Sequence, residues 1–372
     1  MSRVRDLANI LTASSSMATD AEVTSAISDQ FMAGKNKLIN GDFAINQRSF
    51  SSVTNPNTAP YTFDRWIAYA GTVGSSNAVF SNQSFTIGAA PVSGYESTNF
   101  LRIVTTSQDA TNSIVFPQQR IEDVRTFSGQ TVTISFWAKA ATGSPKVFIE
   151  MSQAFGSGGS PSSGVDTNCG QVTLSTSWAR YSVTASIPSV IGKTIGTTAG
   201  TSYISFQPWV SAGTAFNSRT SSLGAQNNTF DFWGFQIEAG STATNFSLAT
   251  GSLATELLTC QRYYWRSTTD VTINSIPSLG FASGSASTTA NVWVRFPVSM
   301  RGNGPTTIDT SNARLYGGTT QYNPNTVTLV NATRDQAQLL ATVTAGGLTL
   351  NQAYAFGHDN GAGSYVAFNA EL

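Results

Sequence analysis

Histidine is nearly missing: His358 is the sole one in 372 residues. A Ser-His-Asp triad would have to use it. It sits in the turn-like run Gly357-His358-Asp359-Asn360-Gly361, beside an aspartate whose side chain is expected to diverge from it. Zinc sites built from several imidazoles are excluded by count. Cysteine is almost as scarce. Cys169 and Cys260 lie far apart in unlike surroundings, so they suggest two buried, reduced thiols rather than a disulfide framework or metal site. Charge is thin as well: 11% of residues are charged and the net charge is zero, against about 25% charged in ordinary soluble domains. No phosphate-neutralising patch follows, and nucleic acid is not an expected partner. Apolar runs stay well below the ~18 residues of a membrane span. Leu7 to Leu11 is too short for the apolar centre of a secretory signal. Phosphate-cradling loops, dinucleotide fingerprints and a repeat of ~20–50 residues are all missing.

Gly, Ser, Thr and Asn fill the surface instead, and Leu, Val, Ile and Phe suffice for cores. Residues 1–35 stand apart, with no Gly, Pro or aromatic residue before Phe31. Leu7, Ile10 and Leu11 have helical spacing. Thr19-Asp20-Ala21-Glu22 matches a capping box, and Val23, Ala26, Ile27 and Phe31 form a narrow stripe. Two helices this short need a partner for their apolar faces. The partner is the following β domain, a second copy of the segment, or another protein. Gly34-Lys35-Asn36 reads as a hinge and favours the last two.

From Asn36 to about Thr250 the pattern is β. Runs such as Asn99 to Thr105, Thr131 to Ala138, Lys146 to Met151, Ala179 to Ala185, Tyr203 to Trp209 and Thr229 to Ile237 alternate apolar with polar residues. Val132, Ile134 and Phe136 should face one way, Thr131, Thr133 and Ser135 the other. Many strands without helical intervals predict a sandwich or barrel. Ser252 should cap a short helix with Leu253, Leu257 and Leu258 on one side. Further strands follow over Ser278 to Ser283, Ala290 to Phe296, Thr326 to Asn331, Gln338 to Thr344 and Ala353 to Phe356, giving a smaller β domain over 251–372. The expected fold class is mainly β: a short helical segment over 1–35, a β-sandwich over 36–250 and a smaller C-terminal sandwich.

Several segments occur in a telling order. Lys37-Leu38-Ile39-Asn40-Gly41-Asp42-Phe43-Ala44-Ile45-Asn46-Gln47-Arg48 precedes Phe63-Asp64-Arg65-Trp66. Far downstream come Phe230-Asp231-Phe232-Trp233-Gly234-Phe235-Gln236-Ile237-Glu238 and then Glu256-Leu257-Leu258-Thr259-Cys260-Gln261-Arg262-Tyr263-Tyr264. This set resembles fibre and receptor-binding proteins in the virions of tailed bacteriophages, over roughly residues 36 to 300. The resemblance implies a jelly roll similar to carbohydrate-binding modules over 36–250, with a distal head over 251–372. It implies a virion protein, assembled in the host cytoplasm, that adheres to host surface polysaccharide. The unpartnered stripe of Leu7, Ile10, Leu11, Val23, Ile27 and Phe31 predicts a homotrimer, and residues 1–35 are expected to join it to other virion proteins. The alternatives are a capsid decoration or head fibre protein with a mainly structural role, and a glycan-degrading tailspike. The tailspike would need a pair of carboxylates among residues such as Asp64, Glu122, Glu150, Asp231 and Glu238. The long β-helices that such enzymes resemble have stacked rungs, which this chain lacks, so it is not expected to be an enzyme.

Sugars stack on aromatic faces. Tyr203 and Trp209 beside Pro208 are the candidates in the first β domain, while Trp66, Trp137 and Trp233 are expected in the core. Tyr316 and Tyr322 are the candidates among the turn clusters of the second. No cofactor is required. The resemblance implies one structural calcium between first and last strands, for which Asn40, Asp42 and Asp231 offer hard oxygen ligands.

Overall fold

A computed structural model describes residues 34–71, 74–92, 95–268, 278–359, 361 and 363–372. The expected N-terminal helices and their apolar stripe lie outside the described residues. The first domain carries β1 (Ser52–Thr54), β2 (Trp66–Gly71), β3 (Asn77–Ser84), β4 (Asn99–Thr106), β5 (Ile114–Glu122) and β6 (Thr131–Ala140). It continues with β7 (Lys146–Ala154), β8 (Val165–Thr173), β9 (Ala179–Ser186), β10 (Tyr203–Trp209), β11 (Ser211–Ala212) and β12 (Thr229–Ala239). A 3-10 turn (Thr214–Phe216) and α1 (Asn217–Thr220) lie between β11 and β12. Two antiparallel sheets face each other, in the orders β1-β3-β4-β12-β6-β9 and β11-β5-β10-β7-β8, with β2 also paired to β5.

Alternation decides which side chains meet between the sheets. Val132, Ile134, Phe136 and Ala138 of β6 join Phe230, Phe232 and Ile237 of β12 and Ile149, Met151, Ile204 and Phe206 from the opposite sheet. Thr133 and Ser135, expected to face away, are buried too. That outer face is covered: Thr133 Oγ1 donates to Gly240 O of the segment after β12 at 2.8 Å, and Arg180 of the neighbouring β9 donates to Ser135 Oγ at 3.1 Å. Strand β12 is the late arrival, inserted between β4 and β6. Its register slips between Trp233 and Gln236. Gly234 takes φ +65° there, and a Cβ would lie 2.9 Å from the Trp137 ring, so glycine is required.

A nine-residue helix, α2 (Leu253–Gln261), leads into the second domain, with Ser252 Oγ accepting from Thr255 N at 3.2 Å as the capping pattern predicts. Its faces differ from expectation. Glu256 and Cys260 are buried, whereas Leu253 and Leu258 stay exposed. The reason is polar docking. The Glu256 carboxylate accepts from Asn40 N at 2.6 Å, Thr250 N at 3.0 Å and Thr250 Oγ1 at 2.7 Å.

The second domain holds β13 (Tyr264–Thr268), β14 (Ser278–Gly284), β15 (Thr289–Arg295), β16 (Thr307–Ser311) and β17 (Ala313–Gly317). It ends with β18 (Thr320–Tyr322), β19 (Thr326–Ala332), β20 (Gln336–Thr342), β21 (Ala353–His358) and β22 (Tyr365–Asn369). A three-stranded sheet, β13-β22-β16, packs on a seven-stranded one, β18-β17-β21-β14-β15-β20-β19. Val292, Val294, Leu315, Leu339, Tyr354, Phe356, Val366 and Phe368 form its own core.

The joint between the domains is made by segments from the beginning of the first domain and from both ends of the second. Arg65 is buried, with its guanidinium 3.5 Å from the centre of the Tyr263 ring, and Arg48 lies 3.6 Å from that of Tyr264. Glu371 pairs with both arginines. Gln47 Nε2 bridges Asp64 Oδ1 at 2.6 Å and Tyr264 O at 2.9 Å. Burial pushes the Asp64 carboxyl up to about 6, against the opposing pull of Arg48 and the Gln47 bonds. Both thiols are buried, and desolvation raises them, Cys169 to about 12.

Candidate functional site

The four aromatic candidates do not converge. Tyr203 is half-buried beside the domain joint, with the Arg120 guanidinium 4.9 Å from its ring centre. Trp209 is 1% exposed. It packs on Phe116 at 4.5 Å and Phe216 at 6.0 Å, beneath the 3-10 turn and α1. Arg219 of α1 lies 5.1 Å from the indole centre and bonds Glu150 at 2.7 and 2.5 Å, which closes that face to a sugar ring. Tyr322 pairs with Leu315, points toward the core of the second domain, and meets Tyr354 edge-on at 5.6 Å.

The calcium candidates are also spoken for. Asn40 accepts from Ile45 N at 2.9 Å and donates to Ile45 O and Asp64 O at 2.8 and 3.1 Å. Asp42 accepts from Tyr95 OH at 2.9 Å, and burial raises its pKa. Asp231 takes two bonds from Arg102, at 2.7 and 2.9 Å, with Lys139 at 3.6 Å. Two cations already neutralise that carboxylate. Among the described residues no group of three or more His, Cys, Asp or Glu side chains is placed to hold a metal ion.

Tyr316 belongs to a different arrangement. Strand register lines up one residue from each strand of the seven-stranded sheet. Gln321 pairs with Tyr316, Tyr316 with Ala355, and Ala355 with Phe281. Phe281 then pairs with Trp293, Trp293 with Gln338, and Gln338 with Asn331. Directly paired residues of antiparallel strands share a face, so these seven form a single row across the sheet. Their strand neighbours Ala282, Val292, Val294, Ala337, Leu339, Tyr354, Phe356 and Leu315 all point into the core, so the row points outward.

The row is solvent-facing. Phe281 is 75% exposed and Trp293 44%, unusual for residues of that size. Strands lie about 4.8 Å apart, so Phe281 and Trp293 are adjacent, while Tyr316 follows about 10 Å away across the flat gap of Ala355. Amides flank the rings. Asn331 Nδ2 donates to Gln338 Oε1 at 3.1 Å, which fixes both side chains and turns the Asn331 carbonyl and Gln338 amino group to solvent. Beside Trp293 lies a shallow depression of about 110 Å³ bordered by Asn331, Thr333, Gln336 and Gln338. Tyr316 OH is held by His358 O and Gln321 Nε2, each at 3.4 Å. No member of the row is ionisable near neutral pH. The arrangement offers ring faces for apolar C–H surfaces and amides for hydroxyls.

Phe281 and Trp293 are inconspicuous in the sequence because both lie inside apolar strands. The signal was there. In Asn291-Val292-Trp293-Val294-Arg295 the polar ends share a face with the tryptophan.

No family model matches the chain. No curated protein matches it either. Solved structures similar to part of it include the enzymatically active domain of tailspike protein 4 from bacteriophage CBA120, at 9% identity and TM-score 0.32, covering 55% of this chain and 22% of that one. The CBM22-2 xylan-binding domain of Paenibacillus barcinonensis Xyn10C is similar at 18% identity and TM-score 0.29, covering 50% of this chain and 99% of that one. A family 11 carbohydrate-binding module from Clostridium thermocellum is similar at 11% identity and TM-score 0.29, covering 53% and 99%. At identities and TM-scores this low, the likeness carries no argument about the fold or ligand of this chain.

Proposed function

We propose that this chain is an adhesion protein of a phage virion and holds neutral polysaccharide along the outer face of its seven-stranded sheet. The row Tyr316–Phe281–Trp293–Gln338–Asn331 carries the reading. A soluble domain gains nothing in fold stability by exposing Phe281 and Trp293 side by side, and such patches mark contact surfaces. Their amide neighbours suit hydroxyl groups better than an apolar protein partner. Each contact is weak, and several copies on one particle would multiply them through effective concentration. The virion setting rests on the sequence resemblance.

Binding without cleavage is part of the proposal. Asp231, Glu150 and Glu122 are each engaged by arginine, at 2.7, 2.5 and 3.2 Å, so their oxygens are already taken by fixed partners rather than presented as a pair to a glycosidic bond. The test is retention of the full chain on immobilised neutral and acidic bacterial surface polysaccharides. Phe281→Ala with Trp293→Ala should weaken retention on a neutral polymer by about tenfold or more, equivalent to about 1.4 kcal/mol, with the melting temperature unchanged. Undiminished retention by the double variant would overturn the assignment.

A further inference from the structure

We infer that the cleft between the two domains is a second binding site, for an acidic sugar unit bearing a carboxylate or a phosphate ester. It goes beyond the outer-face reading and does not depend on it. The cleft measures about 480 Å³ and lies between the end of β5 and the 195–202 loop on one side and the 301–303 turn and Arg334 on the other. That volume is within the ~300–1,000 Å³ of small-ligand sites.

Its charge is unlike that of the whole molecule. Arg125, Arg262, Arg301 and Arg334 line it, against Glu122 and Asp123. In a chain with zero net charge and 11% charged residues, two positive charges are left over in one cleft. The pairing shows which remain available. Arg262 holds Glu122 at 3.2 and 3.3 Å, and Arg125 holds Asp123 at 3.2 Å. Arg301 gives its donors to carbonyls, Ala370 O at 2.7 Å, Gly200 O at 2.8 Å and Glu371 O at 2.7 Å. Carbonyls satisfy hydrogen bonds without cancelling a unit charge, and Glu122, 3.9 Å away, is already shared with Arg262. Arg334 forms no ion pair among the described residues, and its residue is exposed. A planar, weakly hydrated guanidinium favours carboxylate and phosphate oxygens through paired bonds. Thr198 and Asn303 add a hydroxyl and an amide for sugar hydroxyls. No aromatic ring lines the cleft, so it lacks the stacking platform that a nucleic-acid strand would use.

The full chain is titrated by calorimetry with trigalacturonate, with galactotriose and with inorganic phosphate, at low and at high salt. Trigalacturonate should bind, weaken with salt, and lose about fivefold in affinity in Arg334→Gln. Galactotriose should not compete with it. The Phe281→Ala/Trp293→Ala variant should keep trigalacturonate binding intact, so loss of the outer face and loss of the cleft are told apart. Equal binding of the acidic and neutral trisaccharides by the Phe281→Ala/Trp293→Ala variant, whose outer row is removed, would overturn the inference, as would an unchanged trigalacturonate affinity in Arg334→Gln. Phosphate binding as strong as trigalacturonate would mean an adventitious ion only, and would overturn it too.

Discussion

Trp209 and Trp293 both stand on strands of large antiparallel sheets, yet one is 1% exposed and the other 44%. The difference lies in what the connecting chain does. Between β11 and β12 the chain makes a 3-10 turn and α1, which lie over the outer face of β10 and build a small second core of Phe116, Phe148, Trp209 and Leu223. In the second domain the hairpins β14–β15, β17–β18 and β19–β20 are joined by connections of two to four residues. Turns that short cannot reach back over a sheet, and Phe281 and Trp293 stay exposed on its outer face. Aromatic content alone therefore says little about binding. Connection length decides whether an outward ring becomes a core or a contact.

The contrast can be broken most directly by removing both tryptophans in turn. Trp209→Ala should cost about 3–5 kcal/mol, the range for an aromatic ring deleted from a packed interior. Trp293→Ala should stay within about 0.5 kcal/mol, as for an open surface. Chemical denaturation midpoints of the two full-length variants measure this. A comparable loss in Trp293→Ala would mean that the outer face is covered after all.

A smaller effect separates the buried polar joint from the neutral outer row. The folded state holds the Asp64 carboxyl at about 6, above its ordinary 3.8, so folding favours its protonated form. Its stabilising contribution is full below about 3.8 and is lost as pH rises through about 6. Asp64→Asn removes that loss. The melting temperature of the native chain, relative to the variant, should therefore fall between about pH 4 and pH 7. Polysaccharide retention by the outer row, which contains no carboxylate, should show no step in the same window. A flat difference curve would place the titration elsewhere.

The smallest expected change is Ser252→Ala. It removes the bond from Thr255 N at 3.2 Å and should cost about 1 kcal/mol, leaving retention on polysaccharide untouched.

Much of the strand pattern was legible because alternation is local. Thr229 to Ile237 and Tyr203 to Trp209 fall within or on the strands found. The helix after Ser252 was legible in its cap and not in its face. Three leucines suggested an apolar contact, whereas Glu256 meets main-chain donors of Asn40 and Thr250 that no local pattern announces. Gln261 to Tyr264 stood out as a motif, but its use at the joint needs Arg48, Arg65 and Glu371 brought from both ends of the chain. Of the expected site residues, only Tyr316 lies in the outer row. Phe281 and Trp293 were hidden because large rings usually lie inside, although Asn291 and Arg295 marked the side of the strand that Trp293 shares.

The late insertion of β12 bears on how the chain reaches this fold. Phe230 pairs with Ile103 on one side and Ala140 on the other, so the middle of the sheet is completed by a segment made long after both neighbours. Until residues 229–239 arrive, β4 and β6 each present an unpaired edge beside apolar side chains. Contacts this distant in sequence are slow to form, so the two edges are exposed for longer than a hairpin's would be. The same geometry that finishes the sandwich ties the protection of its two middle edges to the last strand of the domain to be made.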